Sequence, residues 1–168
     1  MSGPGAAATT DRETAAGRDD RLELRLWLRL LTCSTLIERR MRAMLREQFE
    51  TTLPRFDMLA QLERSPEGLT MGELSARLMV SNGNITGLVD RLVEEGAIRR
   101  TPSPTDRRSS RVNLTPEGRK LFATMSSAHA RWIDDLLAGV GREDKARLYD
   151  LLGKLKSSAK APPTAPSA

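Results

Sequence analysis

A mainly α-helical fold with one small β-wing is what this sequence predicts, and three observations carry the prediction. Apolar residues recur at steps of three and four along much of the chain between residues 20 and 158, the spacing of helices with one buried face. The composition is rich in Leu, Arg, Glu and Met, which favour helix, and holds only 4% aromatic residues. A single pair of β-like runs, Ala97–Thr101 and Arg111–Leu114, flanks a turn-rich segment from Pro102 to Ser110.

Length and charge set the limits. A chain of 168 residues has room for one domain and one hydrophobic core. Residues 1–19 carry no periodic apolar residue, and residues 159–168 hold three prolines among Ala, Ser and Thr; both are expected to be disordered tails around a domain at 20–158. The most hydrophobic stretch, Leu22 to Leu31, is broken by Glu23, Arg25 and Arg29, which argues against a membrane span. The N-terminus has no apolar core of a secretory signal, so the expected compartment is the cytoplasm. One cysteine, Cys33, leaves no partner for an internal disulfide but allows a thiol sensor or a cross-link between subunits. A net charge of +5 and a pI near 10.0 suit an anionic partner.

Leu22, Leu26, Leu30, Cys33, Ile37, Met41 and Met44 mark one long amphipathic helix ending near Phe49. A stripe of that length exceeds what so small a core covers, which predicts a homodimer. Thr51 and Thr52 offer a cap and Pro54 a first turn for a second helix, Leu53 to about Arg64, stopped by Ser65-Pro66-Glu67-Gly68. Thr70-Met71-Gly72-Glu73 has the form of a capping box and opens a third helix with Leu74 and Leu78 inward. Ser81 caps a fourth, Asn82 to about Glu95, with Ile85, Leu88, Val89 and Leu92 inward and Gly96 as its stop. Two short capped helices on either side of a tight turn at Met79–Ser81 make a helix-turn-helix, and the hairpin that follows makes its wing. Thr115 and Pro116 start a fifth helix to about Ala138. Arg142 to about Ser157 is a sixth, with Leu148, Leu151, Leu152 and Leu155 on its apolar face. The last two are expected to fold back onto the first, so 20–49 and 116–158 form a dimerisation region around a winged helix-turn-helix at 53–114.

The second helix of such a motif lies in the major groove of DNA with its N-terminal residues against base edges. Its outward face here offers Ser81, Asn82, Asn84, Thr86, Asp90 and Arg91, amides that can bond adenine and an arginine that can bond guanine or phosphate. Gly83 and Gly87 are poor helix formers, yet they let the backbone approach DNA closely. A short polar face also suits a solvated helix, so the wing carries more weight. From Arg99 to Arg111 there are five arginines (Arg99, Arg100, Arg107, Arg108, Arg111) against one acid, Asp106. A tip arginine can enter a minor groove while the others neutralise phosphates.

The segments Leu69-Thr70-Met71-Gly72-Glu73-Leu74, Val80 to Leu92, and Pro104-Thr105-Asp106-Arg107-Arg108 followed by Val112 to Gly118 resemble the core of the MarR (multiple antibiotic resistance regulator) family. The resemblance spans roughly residues 20–158. It implies a triangular homodimer whose interface is built by the first, fifth and sixth helices, and binding to a pseudo-palindromic operator, usually to repress. It also implies release by a small ligand or by cysteine oxidation. By position it assigns Ser81, Asn82, Asn84, Thr86 and Arg91 to the recognition helix, and Arg107 or Arg108 to the wing tip. Arg111 is expected at the DNA as well, and Asp106 is expected to orient an arginine within the wing.

Two features bear on what is sensed. Cys33 falls where thiol-sensing members carry a reactive cysteine, but it sits on the apolar stripe, where packing and an inert thiol are expected. Arg39, Arg40, Arg42 and Arg46 cluster at the end of the first helix, with Arg55 following; such a cluster could hold a carboxylate or phosphates. The stretch Glu38 to Leu62 is similar to members that answer aromatic acids or aromatic acyl-CoA esters, which implies an anionic or aromatic effector. One histidine, one cysteine, no metal-spaced cluster and no phosphate-binding glycine loop argue against an enzyme, a metal or a cofactor. His129 reads as a solvated or interface residue. A winged helix that binds protein, or DNA without specificity, is the competing account.

Overall fold

The computed structural model describes residues 22–78, 82–102 and 110–160. The expected N-terminal tail, the turn at 79–81, the wing tip at 103–109 and residues 161–168 lie outside the described residues. The elements in order are α1 (Leu22–Phe49), α2 (Leu53–Glu63), β1 (Leu69–Thr70), α3 (Met71–Leu78), α4 (Asn82–Glu94), β2 (Ile98–Pro102), β3 (Ser110–Leu114), α5 (Pro116–Leu136) and α6 (Arg142–Lys160). They divide into two compact units with the boundary between His129 and Ala130, inside α5. Ala159 and Lys160, expected in the C-terminal tail, are helical.

Local chemistry sets most of the boundaries. Glu50 takes a left-handed φ of 50°, which ends α1, and the Thr51 amide donates back to the Leu45 carbonyl at 3.3 Å. The capping box of α3 is formed on both sides: the Thr70 amide donates to Glu73 Oε2 at 2.7 Å, and the Glu73 amide donates to Thr70 Oγ1 at 3.2 Å. Gly96, with φ of 72°, closes α4 by donating to the Val93 carbonyl at 2.9 Å, while the Ala97 amide reaches the Leu92 carbonyl at 3.0 Å. That pair of bonds needs a residue free to adopt left-handed φ. At α5, the Gly118 amide donates to Thr115 Oγ1 at 3.0 Å and Pro116 fills the first position, where no amide is required.

The sheet adds a strand that periodicity did not predict. Its order is β1-β3-β2, with β1 and β2 both antiparallel to β3; Leu69 pairs with Val112 and Ile98 with Leu114. The core of the first unit gathers Met41 and Leu45 of α1, Phe56, Met58, Leu59 and Leu62 of α2, Leu74, Ile85, Val89 and Leu92 of the two motif helices, and Val112 and Leu114 of β3, all buried. Only the last part of α1 joins this core. Leu22, Leu24, Leu26, Trp27, Leu36 and Ile37 are exposed in the single chain.

Cys33 is exposed too. In the single chain its thiol lies on the same uncovered stripe of α1 as Trp27, Leu36 and Ile37. In the second unit α6 buries no residue, and Leu148, Leu151, Leu152 and Leu155 remain exposed. Among the described residues, no helix is long and apolar enough to cross a membrane.

Candidate nucleic-acid interface

Helix α4 is positioned from beneath and from the side. Ile85, Val89 and Leu92 are fully buried and fix which face turns outward. Asn84, Thr86 and Arg91 are exposed on the other side, as the 3.6-residue period requires. The side chain of Asn82 and all of Ser81 lie outside the described residues, as do the wing residues Asp106, Arg107 and Arg108. Gly83 and Gly87 have open space where a Cβ would stand.

A lateral tie was not foreseen. Arg100 of β2 donates from Nη2 to Asp90 Oδ1 of α4 at 2.7 Å, with both side chains nearly half exposed. The recognition helix and the outgoing strand of the wing are thereby fixed to one another. Arg99, next to it on β2, is exposed.

Arg111 departs from the expected role. Its Nη1 donates to the Gly68 carbonyl at 2.8 Å and lies 4.0 Å from the Glu73 carboxylate, and its side chain is mostly covered. Strand alternation turns it to the turn before β1, so the structure gives it a positioning role at the sheet instead of an outward one. Asn113 acts beside it, donating to the Pro66 carbonyl at 3.1 Å and accepting from the Thr101 hydroxyl at 2.9 Å. Glu73, held by the Thr70 amide and hydroxyl, has its carboxyl pulled below the ordinary value.

The arginines expected to hold an anionic effector lie on two helices, α1 and α2. Arg39, Arg40 and Arg46 are exposed along α1, whereas Arg55 of α2 is paired with Glu95, just beyond α4. The Arg55 Nε is buried without a hydrogen-bond partner. Arg42 pairs with Glu38. These two line a cavity of about 230 Å³ with Leu53, Pro54 and Asp57 of α2, Leu78 of α3 and Leu88 of α4.

Behind Asp57 lies an aromatic stack that corrects the reading of His129. The imidazole packs on Phe56 at 4.7 Å between ring centroids, and Phe56 on Phe122 at 5.6 Å. Burial lowers the His129 pKa, with the nearby Asp57 opposing it, and burial raises that of Asp57. His129 lies four residues beyond buried Met125 on α5, a spacing that could have marked it as inward.

Comparison with known proteins adds the following. The MarR family profile matches residues 50–109. The HTH-type transcriptional regulator PecS of Dickeya dadantii is 32% identical over 111 residues, covering 65% of this chain and 67% of PecS, so the aligned segment spans about two thirds of that relative. A MarR family transcriptional regulator from Silicibacter pomeroyi is similar in structure, with a TM-score of 0.70 and 32% identity, covering 86% of this chain and 100% of that one. The PcaV transcriptional regulator from Streptomyces coelicolor, solved in complex with its natural ligand, has a TM-score of 0.62 at 25% identity, covering 86% of this chain and 100% of that one.

Proposed function

Because the chain belongs to the MarR family of transcriptional regulators, we propose that it binds a pseudo-palindromic operator as a homodimer, represses from it, and is released by a small molecule. The observation that carries this reading is the Asp90–Arg100 pair. It joins a helix with a polar outward face to a strand bearing exposed Arg99, so base-edge contacts and phosphate contacts belong to one rigid head. Asn84, Thr86 and Arg91, with Ser81 and Asn82 at the helix start, read the major groove in this account, and Arg107 and Arg108 serve the wing tip.

The homodimer is supported by the uncovered apolar residues of α1 and α6, which are too many and too large for a solvated surface. Two-fold symmetry then sets half-sites about one helical turn, roughly 10 to 10.5 bp, apart. The decisive experiment is binding to duplex DNA from the intergenic region beside the protein's own gene, against scrambled competitor and at two salt concentrations. A competitor-resistant complex is expected. Binding that competitor removes equally well would replace this reading by a nonspecific DNA binder.

Oxidation of Cys33, which lies on the α1 stripe assigned above to the dimer, is the alternative signal. A Cys33→Ser protein that loses DNA on peroxide treatment as readily as the parent would rule that out.

A further inference from the structure

The turn between α2 and β1 is gripped by side chains from two elements. Arg77, in the last turn of α3, donates from Nη1 to Ser65 Oγ at 2.8 Å. Arg111 and Asn113 of β3 donate to the carbonyls of Gly68 at 2.8 Å and Pro66 at 3.1 Å. The Asn113 amide is tightly seated: a Cβ at Gly68 would stand 2.5 Å from Asn113 Nδ2, and Gly68 has a left-handed φ of 77°, so glycine suits this contact as no other residue does. The oxygen of the same amide accepts from the Thr101 hydroxyl of β2 at 2.9 Å. Arg99 is the cross-strand partner of Asn113, and Thr101 that of Arg111, so these four side chains share one face of the sheet.

We infer that the relay from Thr101 through Asn113 to the Pro66 carbonyl sets the angle of the wing against the helix-turn-helix, which makes Thr101 and Asn113 positioning residues for DNA discrimination. The inference rests on the operator-binding reading above. Two ties locate β2. One is the ion pair of Arg100 with Asp90 of α4, which is nearly half exposed and therefore weak and screened by salt. Alone it would let the wing rock about a single point. The other runs through Asn113 to a turn that Arg77 fastens to α3. Its links from Thr101 to Asn113 and from Asn113 to Pro66 are uncharged, so salt leaves them in place. Because β2 carries exposed Arg99, its angle decides which phosphates are met once α4 is seated in the major groove. On an operator, base contacts fix that seating, and a tilted wing loses phosphates. On other sequences nothing fixes it, and the protein shifts until charge is matched again. The relay therefore acts on the ratio of operator to nonspecific affinity.

Thr101→Val keeps the branched side chain that suits a strand and removes only the hydroxyl. It is compared with Thr101→Ser, Asn113→Ala and the double variant Thr101→Val/Asn113→Ala. Each full chain is titrated by anisotropy on the intergenic duplex beside its own gene and on a scrambled duplex, at several salt concentrations. Thr101→Val and Asn113→Ala should each lower the ratio of the two affinities by about three- to ten-fold, the span of one hydrogen bond. The slope of log K against log salt on the intergenic duplex should fall by about one, a single phosphate contact. The double variant should fall no further than the worse single, since both changes break one relay. Thr101→Ser should keep the parent ratio. A contact that only stabilised the fold would weaken both duplexes alike, in step with the melting temperature. A parent ratio retained in Thr101→Val and Asn113→Ala, losses that add in the double variant, or a Thr101→Ser as impaired as Thr101→Val overturns the inference and leaves the operator reading standing. A parent that does not discriminate between the duplexes overturns the operator reading, and the inference with it.

Discussion

Replacing Gly118 with alanine sets two rules against each other. In helices alanine is favoured over glycine by roughly 0.5–1 kcal/mol, so propensity alone expects a stabilised protein. The packing expects the reverse. A Cβ at Gly118 would stand 1.9 Å from the Ala97 carbonyl oxygen and 2.8 Å from its carbon. That oxygen is backbone, and it accepts from both the amide and the hydroxyl of Thr115, each at 3.1 Å. No side-chain rotation relieves the clash, so the first turn of α5 has to lift away from the segment leading into β2. Forced overpacking costs about 1–3 kcal/mol and a disturbed helix cap about 1 kcal/mol. With the propensity gain set against them, a net loss of about 1–3.5 kcal/mol follows, which at about 2–4 °C per kcal/mol lowers Tm by roughly 2–14 °C. Urea and thermal unfolding followed by circular dichroism would measure it. Gly87→Ala is the control, since a Cβ there meets nothing within 4 Å, and it should stabilise. If Gly118→Ala melts at or above the parent, the close approach of α5 to Ala97 is no constraint and the reasoning fails.

Gly87→Ala should at the same time weaken DNA binding, because the added methyl stands on the outward side of α4; an anisotropy titration in which affinity is unchanged would contradict the close approach of backbone to DNA. Asp90→Asn should cost under about 1 kcal/mol of stability, as an exposed pair does, yet free Arg100 to seek phosphate. Nonspecific binding should then tighten while the ratio of operator to scrambled affinity falls, and an unchanged ratio would count against the rigid head. Arg107→Ala with Arg108→Ala should lower the slope of log K against log salt by about one to two, at roughly 0.9 for each phosphate no longer neutralised. Thr70→Ala should cost about 1 kcal/mol through the α3 cap. Since the Glu73 carboxyl is held below its usual 4.5, its contribution is complete above that value and is lost as pH falls through the lower folded one. Glu73→Gln should therefore flatten the acid limb of the stability curve, as pH-dependent melting would report.

The helices and their stops were legible because each is written in short-range chemistry: the Thr70–Glu73 box, the left-handed Gly96, and Thr115-Pro116 before α5. What escaped depends on partners far along the chain. Strand β1 is two residues long, too short to show alternation, and exists because Leu69 and Thr70 face Val112 and Arg111. Counting arginines made the wing basic but could not tell that Arg111 turns inward to Gly68, 43 positions earlier. Arg55 likewise looked available for an anion until Glu95, 40 positions on, met it. Glu50 ends α1 with a positive φ that no residue type announced. Cys33 was placed on an apolar stripe correctly by period, but period does not say what covers a stripe, and within one chain it is exposed.

Strand β3 is paired on both edges, to β1 and β2, and this limits the ways the chain can change length. Val112 and Leu114 are buried, while Arg111 and Asn113, which alternate with them, hold the turn at Pro66–Gly68. One residue gained or lost within β3 would exchange these sets, sending two polar anchors into the core and two apolar side chains to the surface. Length variation is therefore confined to the connection between β2 and β3, and the reach of the wing can be altered there without moving α3 or its cap.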